Sequence, residues 1–123
     1  MAYDPNNIFA KILRGEIPCN KVYEDEFSLA FHDINPQAPV HVLVIPKGEY
    51  ISMADFTADA SADLIAGYMR AVGRTAEKLD LVEGGYRMLA NAGTNAHQDV
   101  PHLHIHIFVG KPLGPMLSNG FNV

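Results

Sequence analysis

Along residues 102–107, polar and apolar positions alternate without a break. His102, His104 and His106 stand between Leu103, Ile105, Ile107 and Val109. Alternation is the period of a β-strand, whose side chains point to opposite faces in turn. The pattern therefore predicts a strand with one apolar, buried face and one face carrying imidazoles about 7 Å apart. Helical winding would turn His104 well away from the other two histidines. The β-branched content, and the Gly110 and Pro112 that follow, favour the strand.

Elsewhere the period changes. Ile8, Phe9, Ile12 and Leu13 share one helical face between residues 7 and 14, with Asn6 or Asn7 to cap the helix and Gly15 to stop it. Strand-like runs follow at Lys21–Tyr23 and Ser28–Asp33, with a turn at Asp25-Glu26. Residues 34–39 read as a loop, because each proline disfavours helix in the residue before it. Val40–Ile45 is the next strand, closed by Pro46-Lys47-Gly48. Leu64, Ile65, Tyr68, Met69, Val72, Ala76 and Leu79 recur at helical spacing and predict one long helix over Asp59–Leu79. Gly84-Gly85 turns the chain into a strand at Tyr86–Asn91, and residues 93–101 loop to the histidine strand. The tail 111–123, with Pro112, Gly114 and Pro115, reads as an extended arm. Short turns between strands predict an α+β fold in a single domain over residues 1–123. Its mostly antiparallel five-stranded sheet would carry one long and one short helix on one side.

Composition narrows the function classes. With 48% hydrophobic and 19% charged residues, the chain is an ordinary globular sequence. A net charge of −5 argues against a nucleic-acid partner bound by neutralising many phosphates. It leaves room for a small anion held by histidines and backbone N–H groups. Cys19 is the only cysteine, so no intrachain disulfide is expected. Neither a leader-like segment nor an apolar run near the ~20 residues of a membrane span is present, so the expectation is a soluble cytoplasmic protein with no membrane partner.

The alternating histidines admit three readings. They could be the solvated face of a half-exposed strand. They could ligate zinc, with His41, His97 or Asp99 as a further ligand, although no carboxylate stands at a fixed short spacing within the strand. They could also perform covalent catalysis. A neutral imidazole attacks phosphorus if one nitrogen donates a hydrogen bond and the other is free. Neighbouring imidazoles can then bind phosphate oxygens and move a proton. Spacing alone leaves zinc and nucleophile open.

The order His-apolar-His-apolar-His-apolar-apolar resembles the signature of the histidine triad superfamily of nucleotide hydrolases and transferases. Asn7-Ile8-Phe9, Lys11-Ile12 and Glu16-Ile17-Pro18 resemble the start of its Hint branch. Phe31-His32-Asp33-Ile34-Asn35-Pro36-Gln37-Ala38-Pro39, His41 and Val44-Ile45-Pro46-Lys47 are similar too, as is the ending Gly110-Lys111-Pro112-Leu113-Gly114-Pro115-Met116-Leu117.

The resemblance implies a purine nucleoside phosphoramidase that cleaves the P–N bond of an adenylated amine, without a cofactor or metal. His104 would be the nucleophile. His106 would contact phosphate and assist the leaving group, while His102 and His41 would support His104 by hydrogen bonding. Asp33 would bind the ribose hydroxyls, and charge-assisted hydrogen bonds suit a paired diol. Ile8, Phe9, Ile12, Phe31, His32, Ile34 and Leu43 would line a purine pocket. Asn91 and the loop through His97, Gln98 and Asp99 would cradle the phosphate. A homodimer is implied, its interface formed by the long helix and a strand edge.

Taken singly, Asp33 would read as a strand-end residue, His32 and His41 as structural histidines, and the apolar positions as core. Two positions depart from much of the branch. Asp99 stands where serine is frequent, which should alter the preference among leaving amines, and His97 stands where glycine is common. The rival activities are hydrolysis of dinucleoside polyphosphates, a zinc-dependent hydrolase, and a nucleotide-binding interaction module.

Overall fold

The computed structural model describes residues 2–117. Its elements are α1 (Ile8–Leu13), β1 (Lys21–Glu24), β2 (Ser28–His32), β3 (Val40–Pro46), α2 (Met53–Asp59), α3 (Ala62–Lys78), β4 (Arg87–Leu89), a single 3₁₀ turn at Thr94–Ala96, and β5 (Ile105–Val109). The strands form one antiparallel sheet in the order β1-β2-β3-β5-β4, as the turn pattern predicts. The expected arm falls partly at residues 111–117, which have no regular structure; residues 118–123 lie outside the described residues.

Local chemistry sets the helix ends. The Asn7 side chain accepts the Ala10 N–H at 2.9 Å, which satisfies one of the free donors of the first turn of α1. The long helix expected over Asp59–Leu79 is present as α3, Ala62–Lys78, and a further helix, α2, ends at Asp59 just before it. Ala60 is extended (φ −74°, ψ 154°), and Ser61 caps α3 by accepting the Leu64 N–H at 3.1 Å. The apolar period begins only at Leu64, after this break, and so carries no sign of α2. The additional helix α2 is held at its start by Asp55, whose carboxylate accepts the backbone N–H groups of Ile51 and Ser52.

The expectation of helices on one side is corrected. Alternate residues of the central strands go to opposite faces. Ala30, Val42, Val44, Ile105 and Ile107 pack with Phe56 of α2 and with Tyr68, Ala71 and Val72 of α3. Leu29, Phe31, Leu43 and Ile45 pack with Phe9 of α1 on the other face. β3 is therefore almost wholly buried on both sides. Its continuous apolar run carries that information, but short runs of this kind do not reveal which helix covers which face.

At Gly67, α3 packs against Phe27, the residue before β2. A Cβ placed there would lie 2.2 Å from Phe27 Cδ2 and 2.9 Å from Phe27 Cβ, so rotating the ring alone does not relieve the overlap. Gly67→Ala is expected to lower stability by about 1–3 kcal/mol, despite the better helix propensity of alanine. A urea midpoint equal to that of the wild type would contradict this packing.

The histidine segment departs from expectation in one respect. Only Ile105–Val109 is strand, so His102 and His104 precede the ladder. Pro101 has no N–H to give. The His102 N–H turns back to Val100 O at 2.8 Å, and the Leu103 N–H goes to Tyr50 O at 2.8 Å. The alternation of faces nevertheless continues through the irregular part, with Leu103 in the α3-side core and His104 packed against Phe9. Among the described residues, no helix is long and apolar enough to cross a membrane.

Candidate active site

α1, the β1 approach, the ends of β2 and β3, and the histidine segment surround one cavity of about 320 Å³. All seven residues expected to form the base pocket line it: Ile8, Phe9, Ile12, Phe31, His32, Ile34 and Leu43. Ile34 is 85% exposed and Ile8 41% exposed, an unusual condition for large apolar side chains beside a cleft. Asp33, Asp99, His104 and His106 complete the polar part of the wall.

Hydrogen bonds fix the imidazole tautomers. His104 Nδ1 lies 2.7 Å from the carbonyl oxygen of His102. A carbonyl only accepts, so Nδ1 carries the proton and Nε2 of neutral His104 keeps its lone pair. The ring is 5% exposed and meets Phe9 edge-on, with centroids 5.0 Å apart. Burial pushes its pKa below the ordinary value, despite the opposing fields of Asp33 and Asp99. Both effects favour a neutral, oriented ring with one free nitrogen.

A second chain of bonds starts at Gln37, whose backbone N–H donates to His41 Nδ1 at 3.1 Å. Neutral His41 therefore carries its proton on Nε2 and donates it to His106 Nδ1 at 2.9 Å. His106 in turn holds its proton on Nε2, free to donate. Burial, then the neighbouring His104 and His41, push the His106 pKa down to about 4. Asp33 Oδ2 is 3.4 Å from His41 Nε2, and its Oδ1 accepts the Asn35 N–H at 2.9 Å.

These contacts alter two assigned partnerships. His41 bonds to His106 rather than to His104. His102 supports His104 through its backbone carbonyl; its ring turns away, with Nε2 donating to Pro46 O at 3.1 Å and Nδ1 bonded to the Tyr3 hydroxyl at 2.6 Å. Both ring nitrogens of His102 are thus occupied, which removes it from a zinc set built on three alternating histidines. The donor atoms of Asp33, His41 and His106 do converge within 4.8 Å, and this is where a metal could be held among the described residues.

The phosphate loop is only partly gathered at the cavity. Asp99 lines it, whereas His97, Gln98 and Asn91 do not. Gln98 holds the loop itself: its amide donates to Ile51 O and Val100 O, and its carbonyl accepts the Gly93 N–H. His97 is left-handed (φ 58°), which accounts for glycine being common there, and its Nε2 lies 3.2 Å from Asp99 Oδ1 at the exposed rim. Sequence reasoning missed Tyr3, Gln37, Ile17, Pro18, Cys19, Asn35 and Val100. Gln37 acts through its backbone, which composition cannot signal. Tyr3 precedes any patterned element.

A model described as the HIT domain matches residues 14–113. The chain is 63% identical over 118 residues to an uncharacterised HIT-like protein of Azospirillum brasilense, covering 96% of this chain and 97% of that one. It is 42% identical over 113 residues to the purine nucleoside phosphoramidase of Escherichia coli K12, covering 91% and 93% respectively. Among solved structures it is similar to a HIT family hydrolase from Legionella pneumophila, with a TM-score of 0.81 and 38% identity over 89% of this chain and 96% of the other.

Proposed function

The chain belongs to the HIT domain family, and from that membership we propose that it is a purine nucleoside phosphoramidase acting through a nucleotidyl-His104 intermediate. One observation carries the reading. His104 gives its Nδ1 proton to a carbonyl of its own chain, which leaves Nε2 unprotonated on a ring that lines the cavity. The name of the E. coli relative supports the substrate class.

In the proposed reaction the purine lies among Ile8, Phe9, Ile12, Phe31, His32, Ile34 and Leu43, and Asp33 accepts hydrogen bonds from the ribose hydroxyls. The phosphate charge favours a cationic His106, whose Nδ1 then takes a proton from solvent and no longer accepts the His41 N–H. His104 Nε2 attacks phosphorus as the P–N bond breaks, and the amine leaves with the proton of His106. Positive charge on the nucleotidyl-imidazole is stabilised at Nδ1–H by the His102 carbonyl. Water then attacks phosphorus. The nucleoside monophosphate departs, His104 is restored, and the proton of the water returns to His106. No metal is required for these steps.

The test is release of AMP from an adenosine 5′-phosphoramidate in the presence of EDTA. Turnover that stops with chelator and returns with zinc would favour the metal reading at Asp33, His41 and His106. A substrate lacking the 2′-hydroxyl is expected to raise KM about tenfold for the wild type, and by much less for Asp33→Asn. This follows because the hydroxyl's charged partner is already weakened in the variant. Equal losses in both proteins would place the ribose elsewhere.

We extend the proposal to a homodimer. β4 is a sheet edge with Met88 57% exposed, and Met69 of α3 is 41% exposed. A sedimentation mass of one chain would oppose it.

A further inference from the structure

The nucleophile's hydrogen-bond acceptor, the His102 carbonyl, lies outside the sheet ladder, because β5 begins at Ile105. No sheet ladder holds that peptide; its Leu103 N–H donates to Tyr50 O at 2.8 Å, and the His102 N–H to Val100 O at 2.8 Å. The residue is further held by its ring, which is fully buried and bonded at both nitrogens. Pro46 O can only accept, so Nε2 carries the proton and Nδ1 is a bare lone pair needing a donor. The Tyr3 hydroxyl, 2.6 Å away, is that donor. Burial raises the Tyr3 pKa, so the phenol keeps its proton at neutral pH.

The N-terminal segment is built to bring Tyr3 there. Asn7, the cap of α1, also donates through its side chain to Asp4 O at 2.7 Å, and its backbone N–H donates to the same carbonyl at 3.2 Å. The turn at residues 4–7 is thereby tied to the helix whose Phe9 packs against both His102 and His104.

We propose that Tyr3 is a positioning residue: by donating to His102 Nδ1 it fixes the tautomer and seat of His102, and so the carbonyl that orients the nucleophile His104. The inference rests on the reading of His104 as the attacking group. The groups facing this pair are His104 beside His102, and Glu49, Arg14 and Asp4 around Tyr3.

The experiment compares wild type with Tyr3→Phe, which keeps the aromatic packing and removes the hydroxyl. The ¹⁵N resonances of His102 and His104 are read without substrate, alongside single-turnover AMP release. In the wild type, His102 should show a protonated Nε2 and His104 a protonated Nδ1. In Tyr3→Phe, the His102 Nδ1 resonance should lose its hydrogen-bond shift and His104 should populate both tautomers. The rate at saturating substrate should fall about tenfold with KM changed less than twofold, as expected for loss of one buried hydrogen bond acting on orientation.

Unmoved imidazole resonances, or a rate within twofold of wild type, would overturn the proposal. A fall in rate that tracks only a fall in melting temperature, with both tautomers unchanged, would also overturn it by assigning Tyr3 a structural role. If Tyr3→Phe fails to fold, 3-fluorotyrosine at position 3 keeps the contact with a stronger donor. The His102 Nδ1 resonance must then shift further, and a stationary one overturns the proposal. If the wild type releases no AMP, the functional reading fails, while the resonances still decide whether Tyr3 governs the two rings.

Discussion

His104→Ala is expected to lower AMP release from an adenosine 5′-phosphoramidate by at least about a thousandfold, with the fold intact. The size of the effect follows from the route. Without Nε2 no covalent intermediate forms, and water must displace the amine directly. Asp33, the apolar pocket and His106 all remain, so nucleotide binding should change far less than turnover. AMP affinity within a few-fold of wild type, measured by calorimetry, is the companion result. Substantial turnover by His104→Ala would mean that another group attacks phosphorus. His106 is the nearest rival, but its Nδ1 accepts the His41 proton and its Nε2 is protonated. Neither nitrogen of neutral His106 therefore offers a free lone pair to the substrate.

The second large effect is on stability in mild acid. Burial pushes the His102 pKa down to about 4, against an ordinary value near 6.5. A group with a depressed folded-state pKa binds fewer protons folded than unfolded across that interval. Stability is accordingly complete above about pH 6.5 and is lost as the pH falls toward 4, at about 1.4 kcal/mol per pH unit for one such group. His102 alone accounts for a loss of about 3 kcal/mol. His106, also lowered to about 4, and His41 and His104, lowered by burial, act in the same direction. Urea midpoints should therefore fall steeply between pH 6.5 and 4.5, before most carboxylates titrate. A flat midpoint over that range would show that the histidines are hydrated and protonated in the folded chain. The same protonation blocks Nε2 of His104, so activity should fall on the acid side as well.

Much of this arrangement can be read in the residues, and the failures have physical causes. The alternation at residues 102–107 predicts which side chains meet the α3-side core, and Leu103, Ile105 and Ile107 obey it. It does not disclose that the ladder begins at Ile105, because hydrogen bonding depends on the partner strand and on Pro101. The apolar spacing of residues 64–79 predicts α3 but not α2, because that stripe begins after the Ser61 cap. The two-sided burial of β3 depends on where α1 folds back, which no local pattern records. In the site, the apolar pocket and Asp33 come together as the resemblance implies. The pairing of His41 with His106, and the part played by the His102 carbonyl, turn on backbone groups that every residue possesses. Gln98 shows the converse. Its polar side chain suggests a ligand contact, yet loop carbonyls and an N–H use it fully.

The central claim is that Nε2 of His104 forms a bond to phosphorus. Rapid acid-free quenching of wild-type protein during turnover of an adenosine 5′-phosphoramidate, followed by digestion and mass spectrometry, tests it directly. The account predicts one adenylyl group on the peptide containing residues 102–106, with fragmentation assigning it to His104. An adenylyl group on His106, His102 or any other residue, or full turnover with no covalent adduct at any time, would contradict it.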